Sequence, residues 1–292
     1  YRPTIKKDLF NFVKKQVIFH YQWLVVNDFL PRWVDNEIIS EYFSNYNFTY
    51  NASKSCKLPI EFAMSIARTG HYNMPNHIRL AYDCIIHAEE IHHFTEGNLP
   101  EYVIDWTNFF SMKFKEYDIN YCRKYDGTIS EALADMKHID KPSNLPSEKN
   151  NLLLRNLLRS QQFELGSGQD YANLLGINKI PEILLKQYDH NKTMELSNMI
   201  KETPLILYAL KESQIYKSGD YLTGVGGKIF TETILSILFN DSCSYLNTNQ
   251  IWKPVIGNND SFTFKDMMAM FEETSGGVDG VDRTPKGSPK VK

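Results

Sequence analysis

The amino-acid sequence predicts a mainly α-helical fold, and three observations carry that expectation. Apolar residues recur at three- and four-residue steps through several long stretches. Prolines, glycines and a threonine stand where helices start and stop. Runs that alternate apolar and polar, as a half-buried strand requires, are few.

Residues 5–30 carry the clearest helical pattern, with Leu9, Phe12, Val13, Val17, Tyr21, Leu24, Val25 and Phe29 in step and Pro31 closing the run. A second helix is expected over 59–70, entered through Pro59 and holding Phe62, Met64, Ile66 and Ala67. Residues 85–105 are mixed and polar and read as an extended or loop segment. The stretch 139–149, DKPSNLPSEKN, has two prolines and little that packs, so it reads as a surface connection. Leu152–Leu158 is strongly apolar and helical. The run FELGSGQDYANLLG breaks at Gly166 and Gly168, then resumes as a short helix capped at Gly176. Thr203-Pro204 opens a further helix, with Thr203 as N-cap and Pro204 in the first turn. Asp220–Gly227 reads as a glycine-rich turn before a buried helix over 228–239. These elements imply one domain over 1–271, followed by a polar, Gly- and Pro-rich tail over 272–292 that is expected to be disordered.

Composition narrows the function classes. At 292 residues the chain is long enough for one large domain or two small ones. The net charge is −3, spread without a basic block, which gives no footprint for nucleic acid or an anionic membrane surface. No apolar run has the length of a transmembrane segment. Cys56, Cys84, Cys122 and Cys243 form no CxxC pair, which argues against a zinc site and leaves the compartment open. The opening YRPTIKKDLF has neither an initiator Met nor a signal-peptide pattern, and reads as a chain entered midway.

Position alone singles out few residues for chemistry. His87, His92 and His93 cluster in HAEEIHH, but Ile91 stands where HxxEH needs its second His, so a solvated loop is the better reading. His71 follows Arg68-Thr69-Gly70 at the end of an apolar helix, with Arg68 one turn back on nearly the same face. Gly70 would let a flat ligand or another backbone approach. On the residues alone, the better-supported role for His71 is an interaction with the last carbonyls of its own helix. Asn156 and Arg159 lie three apart on a helix otherwise nearly all Leu. Either both face water, or Asn156 has a buried partner, because an unpaired buried amide costs about 1–3 kcal/mol. TGVGGK, at 223–228, lacks the GxxxxGK[ST] spacing of a phosphate loop and reads as a turn into a helix.

Several blocks, in order, resemble the animal-type haem peroxidases. HYQWLVVNDFLPRWV (20–34) resembles the helix that ends in an Asp/Glu-x-Leu-Pro signature, here Asp28-Phe29-Leu30-Pro31. PIEFAMSIARTGHYNMPNHIRL (59–80) resembles the proximal-histidine segment, whose pattern is roughly Phe-Arg-x-Gly-His. LLLRNLLRSQQFELGSGQDYANLLG (152–176) resembles the Asn-x-x-Arg segment and the loop after it in the bacterial branch, and 202–246 resembles that branch's late helices. The resemblance spans roughly residues 5–270 and implies a mainly α haem-peroxidase domain. It implies that His71 is the proximal iron ligand and that Asn156 accepts from the other ring nitrogen. It further implies that Arg159 meets a haem propionate, with Arg68 near the same propionates.

The expected activity is haem-dependent reduction of hydrogen peroxide with oxidation of a small donor. The family's distal half, with an acid–base His and Arg and a calcium loop, would precede Tyr1, upstream or on a second chain. An imidazole paired with neutral Asn156 donates less charge than one paired with a carboxylate, so much of the O–O cleavage must come from those distal groups. The fatty-acid dioxygenases of the superfamily carry Tyr three residues before the proximal His; Arg68 stands there in this chain, which favours peroxidase chemistry. The alternative is a non-catalytic scaffold or partner-binding subunit with the same fold.

Overall fold

The structure, a computed structural model, describes residues 6–45, 48, 58–81, 84–88, 90, 104–110, 120–136, 150–190, 192–257 and 261–274. The chain is mainly helical, with one two-stranded hairpin among the described residues. The predicted connection at 139–149 and the histidines His92 and His93 lie outside the described residues.

The long first helix, α1 (Lys6–Leu24), passes through a π-helical turn (Val25–Phe29) into α2 (Leu30–Trp33). Pro31 therefore does not close the run. The Leu30 N–H bonds to the Val25 carbonyl, five residues back. That widened turn takes up the proline, which has no N–H and whose ring crowds the preceding turn. The chain then enters α3 (Asn36–Asn45).

The expected helix at 59–70 breaks in two. α4 (Ile60–Met64) ends at Ser65, whose backbone (φ −131°, ψ −75°) leaves the helical region, and a 3-10 helix (Ile66–Asn73) follows. Next comes the antiparallel hairpin of β1 (His77–Ala81) and β2 (Cys84–His87). β2 occupies part of the stretch read as extended or loop, and residues 91–103 of that stretch lie outside the described residues. Short α5 (Glu131–Ala134) precedes α6 (Leu152–Gln162). α7 (Gly168–Leu174) starts on a reciprocal cap, with the Ser167 hydroxyl accepting from the Asp170 N–H and the Asp170 carboxylate accepting from the Ser167 N–H. Gly176 ends that region at φ +66°, the left-handed conformation expected of a C-cap glycine. α8 (Glu182–Gln187) and α9 (Thr193–Leu196) follow.

The core is the pair α10 (Leu205–Lys217) and α11 (Gly224–Asn240). Leu205, Ile206, Tyr208, Ala209 and Leu210 are sealed from solvent, as are Val225, Ile229 and Leu235 facing them. α2, α3, α6, α7 and the 3-10 helix pack around this pair. Two boundaries move by a few residues. Pro204, not Thr203, holds the N-cap position of α10, and the Thr203 hydroxyl bonds to the Met199 carbonyl instead. The glycines read as a turn form the first turn of α11. A Cβ on Gly226 would lie 2.7 Å from Ala209 Cβ, and one on Gly227 2.7 Å from Ile38 Cδ1, so close helix packing selects them. α12 (Phe264–Thr274) runs past the expected tail boundary at 272, while 275–292 lie outside the described residues.

Candidate functional site

A 3-10 helix has three residues per turn, so side chains three apart are eclipsed. In the Ile66–Asn73 segment that period puts Ile66, Thr69 and Tyr72 on one buried face, all 0% exposed. The Thr69 hydroxyl tightens the turn by donating to the Ile66 carbonyl at 2.7 Å. The same period sets Arg68 and His71 in one row beside that face.

Gly70 lies against a side chain and not against another backbone. A Cβ there would lie 2.9 Å from Cη2 of Trp33, whose ring stacks on Phe230 at 5.7 Å and 15°. The glycine thus lets the His71 segment settle on the aromatic core carried by α2 and α11. Nothing in the sequence pattern pairs Gly70 with Trp33, because the contact joins segments that only the fold brings together.

Asn156 is 2% exposed, which excludes the reading that it faces water. Its Nδ2 lies 3.4 Å from Nδ1 of His71, joining α6 to the 3-10 helix. As placed, the amide donates to the ring. A half-turn of the amide exchanges Nδ2 and Oδ1 in nearly the same space and makes Asn156 the acceptor from a protonated Nδ1. Tyr72, next to His71, is the residue that sequence reasoning missed. Burial pushes its phenol up to about 12, with the Asn156 side chain pulling the other way. The Tyr72 hydroxyl has no well-formed hydrogen bond among the described residues.

Arg159, one turn beyond Asn156, is exposed, while Arg68 is half-buried. The Arg68 guanidinium is held below its ordinary value, first by burial and then by the charge of Arg159. Its Nε is buried with no hydrogen-bond partner among the described residues. Two like charges within electrostatic reach and an unsatisfied N–H together favour an anion at this place. All four residues singled out in the sequence, His71, Asn156, Arg68 and Arg159, therefore come together.

The glycine-rich run at 223–228 and the imidazole of His20 both serve the fold. The start of α11 resembles a phosphate loop because it is a glycine-rich helix N-terminus, but a buried carboxylate from the chain itself fills it. Glu212 accepts from the Val225 N–H at 2.7 Å and from the Gly226 N–H at 3.4 Å. His20 is locked between Trp252 and Phe262, with Nδ1 on the Gln16 carbonyl at 2.7 Å and Nε2 accepting from the Val255 N–H at 3.2 Å. Both ring nitrogens serve packing, so His20 has no nitrogen to spare for proton transfer.

Comparison of the chain with protein-family models, with curated proteins and with solved structures finds no match in any of the three.

Proposed function

We propose that this chain holds a haem on His71 and supplies the proximal side of a peroxidase centre, reducing hydrogen peroxide and oxidising a small donor. The observation that carries the reading is the buried Asn156 amide set against Nδ1 of His71. A metal-bound imidazole has one nitrogen on the metal and needs a fixed acceptor for the N–H of the other. With Asn156 Oδ1 accepting from Nδ1–H, the lone pair resides on Nε2, the nitrogen that would take iron. Arg68 and Arg159 suit the two carboxylates of such a group, since one is half-buried with an unsatisfied N–H and the other adds charge beside it.

Bound haem supplies the redox-active iron. The chain's own residues bind and orient: His71 ligates, Asn156 holds the ring and its proton at Nδ1, and the guanidiniums neutralise the propionates. Neutral Asn156 leaves the ring less electron-rich than a carboxylate would. The residues that carry the family resemblance all belong to this proximal side, and His20 is committed to packing. Haem-loaded 1–292 by itself is therefore expected to turn over peroxide slowly. Stopped-flow mixing with peroxide checks this, and rapid turnover would show that a residue of this chain performs the acid–base step.

The test of the site is a pair of substitutions read by two instruments. Asn156→Leu keeps the helix but removes the acceptor, and is expected to shift the haem reduction potential and spin state more than the stability of the fold. Arg159→Ala is expected to weaken haem affinity with the potential nearly unchanged, and the loss should shrink at high salt because the residue is exposed. If neither substitution alters the spectrum, the potential or the affinity, this helix does not face a haem.

A further inference from the structure

We propose that His77 and His87 form a two-nitrogen binding site for a late first-row divalent cation, copper(II) above nickel(II) and zinc(II), which clips the open end of the β1–β2 hairpin. The two residues are direct partners across the antiparallel pair: His77 opens β1 and His87 closes β2. Directly opposed side chains have Cβ atoms roughly 4.5–5.5 Å apart. Both rings lie on the face that carries Arg79 and Ile85, opposite the buried Ile78, Leu80 and Ile86. Their centroids are 5.3 Å apart and the planes cross at 74°. Two imidazole nitrogens, each about 2.0–2.1 Å from a metal, sit roughly 3–4 Å from each other. Ring centroids 5.3 Å apart, on directly opposed residues, suit two nitrogens that meet at one cation.

Among the described residues no three His, Cys, Asp or Glu groups converge on a metal position, so the proposed site rests on the two imidazoles. Glu90 adds negative charge close by, with Oε1 accepting from the His87 N–H at 3.3 Å. Arg79 shares the face, but it belongs to the pair with Ile85, two residues farther along β1. Imidazole ligands suit copper, nickel and zinc, and the order of affinity for one site places copper highest. The sequence carries half of this signal in HAEEIHH. His77 is ten positions before His87 in that numbering, and only the hairpin register puts the two rings side by side.

The hairpin leaves the 3-10 helix of His71 through residues 74–76, and Asn76 anchors it. The Asn76 carbonyl accepts from the Ala88 N–H at 2.8 Å, and its side chain accepts from the Ala132 N–H at 3.1 Å. A metal clip at the His77–His87 end would therefore hold together the strand ends that lie nearest the His71 segment. The proposal does not depend on haem binding, and its test uses the chain without haem.

The experiment titrates copper(II) into the full 292-residue chain, read by calorimetry and by electron paramagnetic resonance, with zinc(II) in parallel. The expected result is one copper per chain with coupling to two nitrogens. His77→Ala and His87→Ala should each weaken that site by at least about tenfold, the scale on which even outer-shell partners act. Combining His92→Ala with His93→Ala should leave the site intact. Saturating zinc should raise the thermal midpoint of the parent chain and not that of His77→Ala, a shift that a merely structural histidine pair would not show. Copper binding unchanged in both single variants, or lost instead with His92 and His93, overturns the proposal.

Discussion

Glu212→Gln should abolish a large pH dependence of folding stability. Glu212 is 2% exposed, and burial drives its carboxyl up to about 8, against the pull of the Val225 and Gly226 N–H groups. Its charge adds to the burial that raises the phenols of Tyr208 and Tyr216. Because the folded value stands above that of a free glutamate, the native state holds a proton that the unfolded chain releases. Stability from this group is therefore complete below the ordinary glutamate range and declines as pH rises through it, until about pH 8. Above that the loss levels off, having reached on the order of 5 kcal/mol. Glutamine keeps a carbonyl oxygen for the Val225 N–H and carries no charge. Parent and variant, compared by urea denaturation, should differ little near pH 5, and the variant should gain steadily toward pH 9. A difference that stays constant across that range would show that Glu212 is not a buried acid with a raised value.

If His71 holds haem iron as proposed, His71→Ala should reduce haem affinity by about a hundredfold or more, because it would remove the iron's protein ligand, whereas outer-shell partners alone are worth about 10–100-fold. The fold should survive. His71 is half-exposed, whereas its 3-10 helix is held by Ile66, Thr69, Tyr72 and the Gly70–Trp33 contact. Far-ultraviolet circular dichroism should therefore match the parent. Haem titration followed in the Soret region reads the affinity. His190→Ala serves as the control, since His190 is an exposed residue in the turn after α8. Equal affinity in parent and His71→Ala would remove His71 from the site. A Soret band that forms in neither would instead favour the scaffold reading.

Much of the helical fold was legible in the chain because amphipathic spacing and helix punctuation are local. α6 and α7 lie where period and capping place them, and α1 and the buried α11 fall on the expected helices with shifted ends. The misplacements have non-local causes. Pro31 stops a regular helix, but a π turn absorbs it, and no residue pattern announces that turn. Ser65 splits the second helix and winds the remainder into a 3-10 turn, which is what aligns Arg68 with His71. Gly226 and Gly227 read as turn residues until Ala209 and Ile38 are seen against them.

The candidate site was legible to the extent that resemblance named His71, Asn156, Arg68 and Arg159. Spacing alone left Asn156 undecided between water and a buried partner, and the 2% exposure beside His71 decides it. Tyr72 was invisible because one more aromatic in a chain with 17 tyrosines carries no signal by itself. The opposition of His77 and His87, and the seating of Glu212 on α11, depend on strand register and helix pairing, which single-sequence periodicity does not encode.

Resonance Raman spectroscopy of the haem-loaded chain in the ferrous state tests the central claim most directly, because it reads the bond between iron and imidazole. An iron–histidine stretching band should be present in the parent and absent in His71→Ala, with the spectrum recovering when free imidazole is added to that variant. In Asn156→Leu the band should persist at a shifted frequency, since the acceptor for the ring N–H is gone. A parent spectrum without the band, or one that His71→Ala leaves unchanged, would contradict the assignment of His71 as the proximal ligand.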